Sequence, residues 1–343
     1  MPYTVRSSER TRSSGAEYET KALLYLMNFS KDKDEIHFFV VDFFNDLTGM
    51  DRHSSRLWDV QSKGAKNNSP MAIGRELVTL FHNYLSDFEF KEYILFLGGV
   101  SESVRKNKML DVFDISNVTN SALEKIKRGL RKEAEEKTYI NDKAVDASNL
   151  DEFLRKVLFV VDTRPPCEYV KAIIKEHPAI IPEDQVLNAI FNEIRDKQSA
   201  LKNTQVEGVV IQTPLDVLSH LRHLTNSEIR LMTLNRIINR NPVERCSVPL
   251  SFNDIYSIWP PEKRRENLDQ CVQTLCRALF NKNAAAAFWN LFESIYSLII
   301  KYPTYTAKEI YQSIDIRIRD AEPDFDSISL QYFISIVKDG IQQ

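Results

Sequence analysis

Glu35 to Lys63 reads EIHFFVVDFFNDLTGMDRHSSRLWDVQSK, and its alternation of apolar and polar residues decides how the rest of the chain is read. Ile36 to Phe43 is an almost unbroken apolar and aromatic run with β-branched members, the composition of a buried strand. Asn45, Asp46 and Gly49 loosen the chain before a second short strand or bulge, and Asp51 to Ser55 supply a polar turn. In the strand that follows, Leu57, Asp59, Gln61 and Lys63 alternate with Trp58, Val60 and Ser62, so Gln61 and Lys63 point the same way. A carboxylate, Asp46, thus follows one strand, while two polar side chains converge near the end of another. Taken alone, such a hairpin also serves as plain structure, because strands ending in Asp, Gln and Lys are common on protein surfaces.

The flanking elements give the hairpin its context. Upstream, Ser13 and Ser14 offer N-caps for a helix over Ala16 to Phe29. Tyr18, Ala22, Tyr25 and Phe29 share one face of it, and Glu19, Leu23 and Leu26 a neighbouring one, which puts Glu19 at the edge of an apolar surface. A glutamate in a first helical turn is also favoured by the helix dipole alone. Downstream, Ser69 as cap and Pro70 at the first helical position begin a helix whose stripe of Ile73, Leu77, Leu80, Phe81 and Tyr84 covers a sheet face. Tyr93 to Leu97 is a short apolar run closed by Gly98 and Gly99, the pattern of a central strand, and Met109 to Ile115 adds an edge strand. The predicted order is helix, strand, strand, strand, helix, strand.

With that order in place, GAEYETKALLYLM, FFNDLTGM and WDVQSKG resemble the PD-(D/E)XK nuclease domain of CBASS effector endonucleases and of the nuclease subunits of Lamassu-type anti-phage systems. The resemblance covers roughly residues 10 to 115. It implies an α/β N-terminal restriction-endonuclease-like core (αβββαβ), with Glu19 on the helix, Asp46 as metal ligand, and Gln61 with Lys63 as a QxK variant of the usual (D/E)xK pair. Phosphodiester hydrolysis by such a site needs a hard cation, Mg²⁺ or Mn²⁺, held by oxygen ligands. Asp46 would supply charge, and the Gln61 side-chain oxygen or the Ser62 carbonyl neutral ligands. Lys63 would orient water or stabilise developing charge, a point-charge role that suits an ammonium. Gln in place of Glu leaves the site one negative charge poorer. Asp42 and Asp59 compete for the carboxylate role. The rest of the chain does not resemble the cyclic-oligonucleotide sensor that accompanies CBASS effectors. The resemblance therefore implies double-stranded DNA as substrate, an SMC-like ATPase and a small accessory subunit as partners, and a homo-oligomer as the active form.

The 343 residues suffice for two domains, expected at 1–140 for the nuclease-type domain and 141–343 for a mostly helical partner-binding or regulatory domain. With 43% hydrophobic and 27% charged residues the composition is that of a globular protein, and 45 basic against 48 acidic residues exclude a global positive field. Any DNA contact must come from a local patch. The Thr119 to Lys137 helix carries Lys125, Lys127, Arg128, Arg131 and Lys132, and is read first as a solvated face. Asn141 to Asn149 reads as a linker, and Leu150 to Lys175 mixes helical and extended signals. A helix from Pro182 to Leu201, a short strand in VEGVVIQT and a helix from Thr213 follow. Further helices run over Pro261–Phe280, Ala284–Lys301, Ala307–Arg319 and Ser327–Lys338.

Cys167, Cys246, Cys271 and Cys276 lack the spacing of structural zinc and read as thiols of a reducing cytoplasm. His220 and His223, at i and i+3 of a predicted helix, have no acidic or cysteine company and read as surface or core residues. His53 lies in the hairpin turn. The N-terminal arm has no apolar segment of a secretion signal, and no apolar stretch is long enough for a membrane span. Nucleotide-binding and serine-triad motifs have no match.

Overall fold

The computed structural model describes residues 3–5, 13–141, 144–174, 177, 179–243 and 248–341. It is a mixed α/β structure organised on a seven-stranded sheet. In chain order the elements are β1 (Tyr3–Thr4), α1 (Ser13–Asn28), β2 (Ile36–Val41), β3 (Leu47–Asp51), β4 (Leu57–Lys63), α2 (Pro70–Glu76), α3 (Val78–Tyr84), β5 (Phe90–Leu97), β6 (Val112–Phe113), α4 (Asn120–Glu135), α5 (Ala147–Lys156), β7 (Val157–Val161), α6 (Pro166–Ile173), α7 (Asp184–Leu201), β8 (Val210–Ile211) and β9 (His223–Thr225). Helices α8 (Asn226–Ile238), α9 (Asn253–Ile258), α10 (Arg264–Phe280), α11 (Ala285–Lys301), α12 (Ala307–Ser313), α13 (Ile316–Ala321) and α14 (Ser327–Ile341) complete the chain. One compact unit takes in Met1–Pro165 and Ile194–Asn226, the other Pro166–Glu193 and Ser227–Gln343. The sheet-bearing unit therefore reaches past residue 140.

In the first unit β2, β3 and β4 form an antiparallel meander. β5 then joins β4 in parallel and β7 joins β5 in parallel. Parallel neighbours need a crossover, and α2 with α3 makes the first while α4 and α5 lie within the second. These helices cover one sheet face, where Leu57, Tyr93, Leu95 and Phe159 pack in one core with Leu77, Phe81, Ile126, Leu130 and Phe153. On the other face α1 sets Tyr25 against Phe96, ring centroids 5.6 Å apart. A β-carbon on Gly49 would lie 3.2 Å from Leu26 Cδ1. Gly49, expected to loosen the chain, instead sits inside β3 and lets α1 approach. Coverage of both faces is why β5 is apolar almost throughout rather than alternating.

α2 and α4 cross with their backbones touching. A β-carbon on Gly74 would stand 2.1 Å from the Ile126 carbonyl oxygen, and one on Gly129 2.4 Å from the Met71 carbonyl oxygen. Alanine is the better helix former by about 1 kcal/mol, yet neither carbonyl can swing aside as a side chain would. Gly129→Ala should therefore destabilise the protein by roughly 2–3 kcal/mol through overpacking, read as a lower urea midpoint. A midpoint at or above wild type would show that the two helices separate freely.

Several expectations change in detail. The hydroxyls of Ser13 and Ser14, expected as caps, lie outside the described residues, as does Cys246. The helix expected from Pro70 breaks at Leu77 into α2 and α3. Asp146 caps α5, so the expected linker is helical from Ala147. The Ala307 helix divides where Asp315 caps α13. The segment from Thr213 is a 3₁₀ turn over Pro214–His220, closed by Leu221 in the left-handed region at φ 56°. His220 and His223 consequently do not share a helix: His223 lies in β9, hydrogen-bonded to β2. β7, paired between β5 and the edge strand β6, falls in the stretch whose signals are mixed.

The second unit is helical and centred on α14, whose buried residues include Leu330, Tyr332, Phe333, Ile334, Ile336 and Val337. Phe333 stacks on Phe288 with centroids 5.5 Å apart. Among the described residues no helix is long and apolar enough to cross a membrane.

Candidate functional site

The polar face of β4 is buried under helices. Asn83 Nδ2 donates to Asp59 Oδ2 at 2.7 Å, Thr79 Oγ1 donates to Gln61 Oε1 at 2.9 Å, and Lys63 Nζ lies 3.2 Å from Glu76 Oε2. Alternate residues along the strand thus meet successive turns of α3 and α2, which run the opposite way. The seam is most enclosed at Asp59, which is fully buried, and opens at Lys63, which is about one-third exposed.

Asp46 reaches the open end of this seam from the β2–β3 bend. Because Leu47 pairs with Val60 across the sheet, Asp46 is set beside Gln61. Its Oδ2 accepts from Gln61 Nε2 at 2.9 Å, from the Ser62 backbone N–H at 2.9 Å and from Ser62 Oγ at 3.0 Å. No described residue is recorded donating to Oδ1. Burial, then the charge of Glu19, push the Asp46 carboxyl up to about 6 against the Ser62 hydrogen bonds and the Lys63 charge. Asp46, Gln61 and Lys63 line a cleft of about 440 Å³ together with Asp42, Arg75, Glu76, Lys137 and Tyr139.

Glu19 arrives from α1, and Tyr18 fixes its approach. A β-carbon on Gly64 would stand 2.5 Å from Tyr18 Cδ2, and one on Gly98 2.6 Å from the Tyr18 hydroxyl. The ring therefore seats on two glycines just past the ends of β4 and β5. Glu19 itself is held by Lys202, 2.7 Å from its Oε2.

Asp42 and Asp59 take other places. Asp42 adopts a left-handed φ of 49°, and the fully buried Arg222 donates to its carboxylate and to its carbonyl, both at 3.0 Å. Burial raises the Asp42 carboxyl to about 6, against the opposing charges of Lys202 and Arg222. Asp59 is pushed up to about 7, chiefly by burial, against its bond from Asn83.

Comparison of the chain with protein families, with curated proteins and with solved structures finds no match. Among the described residues no group of three or more His, Cys, Asp or Glu side chains is arranged to hold a metal ion. The donor set is poorer in charge than that: one carboxylate with an open oxygen, a second carboxylate whose charge it feels, and neutral amide and carbonyl oxygens. Such hard donors suit Mg²⁺ or Mn²⁺ and not a soft metal. Gln61 as placed turns its N–H group to Asp46 and its oxygen to Thr79. Reversing the amide presents the oxygen instead, and the Thr79 hydroxyl, which both donates and accepts, keeps its bond. With the amide so reversed, Asp46, Gln61 and the Ser62 carbonyl could together hold a hard divalent cation.

Thr79 and Asn83 escape a sequence reading centred on the apolar stripe, although Glu76, Thr79 and Asn83 at i, i+3 and i+7 mark a polar stripe beside it. Lys202 and Arg222 carry no local signal. His53 is exposed in its turn, and so are Lys125, Arg128, Arg131 and Lys132 of α4. Lys127 pairs with Asp151 at 2.7 Å.

Proposed function

We propose that the first unit is a restriction-endonuclease-like core of PD-(D/E)XK type and that the protein is a metal-dependent DNA endonuclease. The observation that carries the reading is the convergence of Gln61 and Ser62 on Asp46 Oδ2 within 3.0 Å, in a cleft that Lys63 also lines. The order α1, β2, β3, β4, α2 with α3, β5 supports it, being the αβββαβ order that the sequence resemblance implies.

In this reading Asp46, Gln61 and the Ser62 carbonyl would hold Mg²⁺ or Mn²⁺, which would supply polarisation of the scissile phosphate and a lowered pKa for a water beside it. Lys63 contributes a fixed positive charge to the phosphate oxygens as charge builds on them, and Glu19 adds negative charge that draws the cation in. Glu76 holds the Lys63 ammonium at the cleft until phosphate replaces it.

The same reading makes the protein the effector subunit of a cytoplasmic anti-phage complex of Lamassu type. Its helical second unit serves as docking surface for an SMC-like ATPase and a small accessory subunit. Two copies brought together cut both strands of a duplex. Purified protein with Mg²⁺ should linearise and degrade plasmid DNA, and Lys63→Ala should lower the rate about 100-fold or more. If the variant cuts as well as its parent, the site is misassigned.

A catalytically silent scaffold is the second reading, favoured by the pairing of Lys63 with Glu76 and of Glu19 with Lys202. Both pairs use side chains that a nuclease needs for its cation and phosphate. Cation binding that survives Asp46→Ala would favour this reading.

A further inference from the structure

We propose that Lys202 is a tethered competitor for the divalent cation: its ammonium holds the Glu19 carboxylate until a cation displaces it. The inference rests on the cation-dependent reading above and adds a residue outside the αβββαβ segment to the same site.

The pair is built rather than incidental. Lys202 Nζ and Glu19 Oε2 are 2.7 Å apart, with side-chain exposures of 7% and 13%. An exposed lysine bridge is worth little because water and salt compete for both ends, but this one is largely withdrawn from water. Two ties hold its partners in place. Thr20, next to Glu19 on α1, donates its hydroxyl to Gln198 Oε1 on α7 at 2.8 Å, one helical turn before Lys202. Arg222 donates to the Leu201 carbonyl at 3.2 Å and to the Lys202 carbonyl at 3.4 Å. The backbone at Lys202 is therefore anchored where α7 ends, and its ammonium stays at high local concentration beside Glu19.

Charge complementarity says what the ammonium stands in for. The Tyr18 ring beside Glu19 seats at Gly64, two residues past the Ser62 that holds Asp46, so the two carboxylates come to the same end of β4, and Glu19 is the largest charge effect on Asp46. A divalent cation drawn to Asp46 meets Glu19 already neutralised. When the cation takes Glu19, the displaced ammonium has another anion at hand in Asp42, for which Lys202 is the leading favourable charge. The exchange keeps every buried charge paired, the condition under which buried ions are tolerated.

The test is a Mn²⁺ titration of the full-length protein at pH 7.5, reading free Mn²⁺ by electron paramagnetic resonance. Lys202→Met should bind Mn²⁺ at least about tenfold more tightly than wild type, since close charge pairs out of water are coupled by more than the ~1.4 kcal/mol that a factor of ten represents. In EDTA the variant should melt below wild type, because Glu19 is left buried and unpaired, and Mn²⁺ should raise its melting temperature more than that of wild type. Should Lys202→Met not fold, Lys202→Gln, which still offers Glu19 a hydrogen bond, carries the same expectation. Equal or weaker Mn²⁺ binding by the folded variant overturns the proposal, as does an absence of Mn²⁺ binding to both proteins. Asp46→Asn separates the two levels of inference. If it loses Mn²⁺ while Lys202→Met binds like wild type, only the role of Lys202 falls; if it binds Mn²⁺ like wild type, the cation is not at this site and both readings fall.

Discussion

Asp46→Asn should make the protein more stable at pH 7.5 in EDTA while removing plasmid cleavage. The folded Asp46 carboxyl is raised from 3.8 to about 6, so between those values the folded state holds a proton that the unfolded state has lost. Stability then falls as pH rises from about 4 through about 6, and the loss persists at pH 7.5. A tenfold change in proton affinity is worth about 1.4 kcal/mol, and the carboxyl keeps some solvent contact, so the penalty is on the order of 2 kcal/mol. Asparagine is neutral, and its oxygen still accepts from Gln61 and Ser62. The substitution should raise the melting temperature by roughly 4–8 °C at pH 7.5, with the gain vanishing below about pH 4. Asp42 and Asp59, raised to about 6 and about 7, act in the same direction, so metal-free wild type should also melt higher at pH 5 than at pH 7.5. A variant that melts below wild type at pH 7.5 would show that the Asp46 charge is satisfied without a cation. In the proposed nuclease, such a strained site without its ligand would trade stability for chemistry.

The second large effect is expected at Arg222. Its guanidinium, fully buried, serves the Asp42 carboxylate and the carbonyls of Asp42, Leu201 and Lys202. Arg222→Met takes from a buried carboxylate its hydrogen-bonded partner, leaving it only the nearby charge of Lys202, and removes a donor from three carbonyls, a loss of about 3–5 kcal/mol and a fall in melting temperature of about 10 °C or more. Lysine is no substitute, because one ammonium cannot spread over acceptors that the planar fork reaches on two sides. The effect extends to the cleft. The Asp42 N–H donates to the Asp46 carbonyl at 3.1 Å, so the left-handed turn that Arg222 steadies also places Asp46. Cleavage by the variant should drop even at temperatures where its circular dichroism is native. Arg222→Met combined with Asp42→Asn, a residue that tolerates the left-handed φ of 49°, removes both charges and should recover at least half of the lost stability, since the main cost lies in the orphaned charge. If the double variant is no more stable than Arg222→Met alone, the pair is not the source of the effect.

The sequence by itself determined the elements whose burial shows as periodicity. The unbroken apolar runs of β2 and β5, the alternation in β4 and the apolar stripe of α2 and α3 each state their surroundings locally, and so does the cap Ser69. Those signals also brought Asp46, Gln61 and Lys63 together, because a hairpin register follows from strand pattern and turn length. β7 shows how a local signal is lost: α5 runs into it without a breaker, Lys156 ending the helix and Val157 opening the strand. Only the tertiary structure decided what stands around the site. It turned the polar side of β4 inward against Glu76, Thr79 and Asn83, when alternation alone made that side a surface. It separated Asp42, held by Arg222, from Asp46, which keeps an oxygen open to the cleft. It also brought Lys202 to Glu19 and added β9 beside β2. Such pairings span some 180 residues of chain, and a charge so far along the sequence leaves no mark on the pattern of the partner it neutralises.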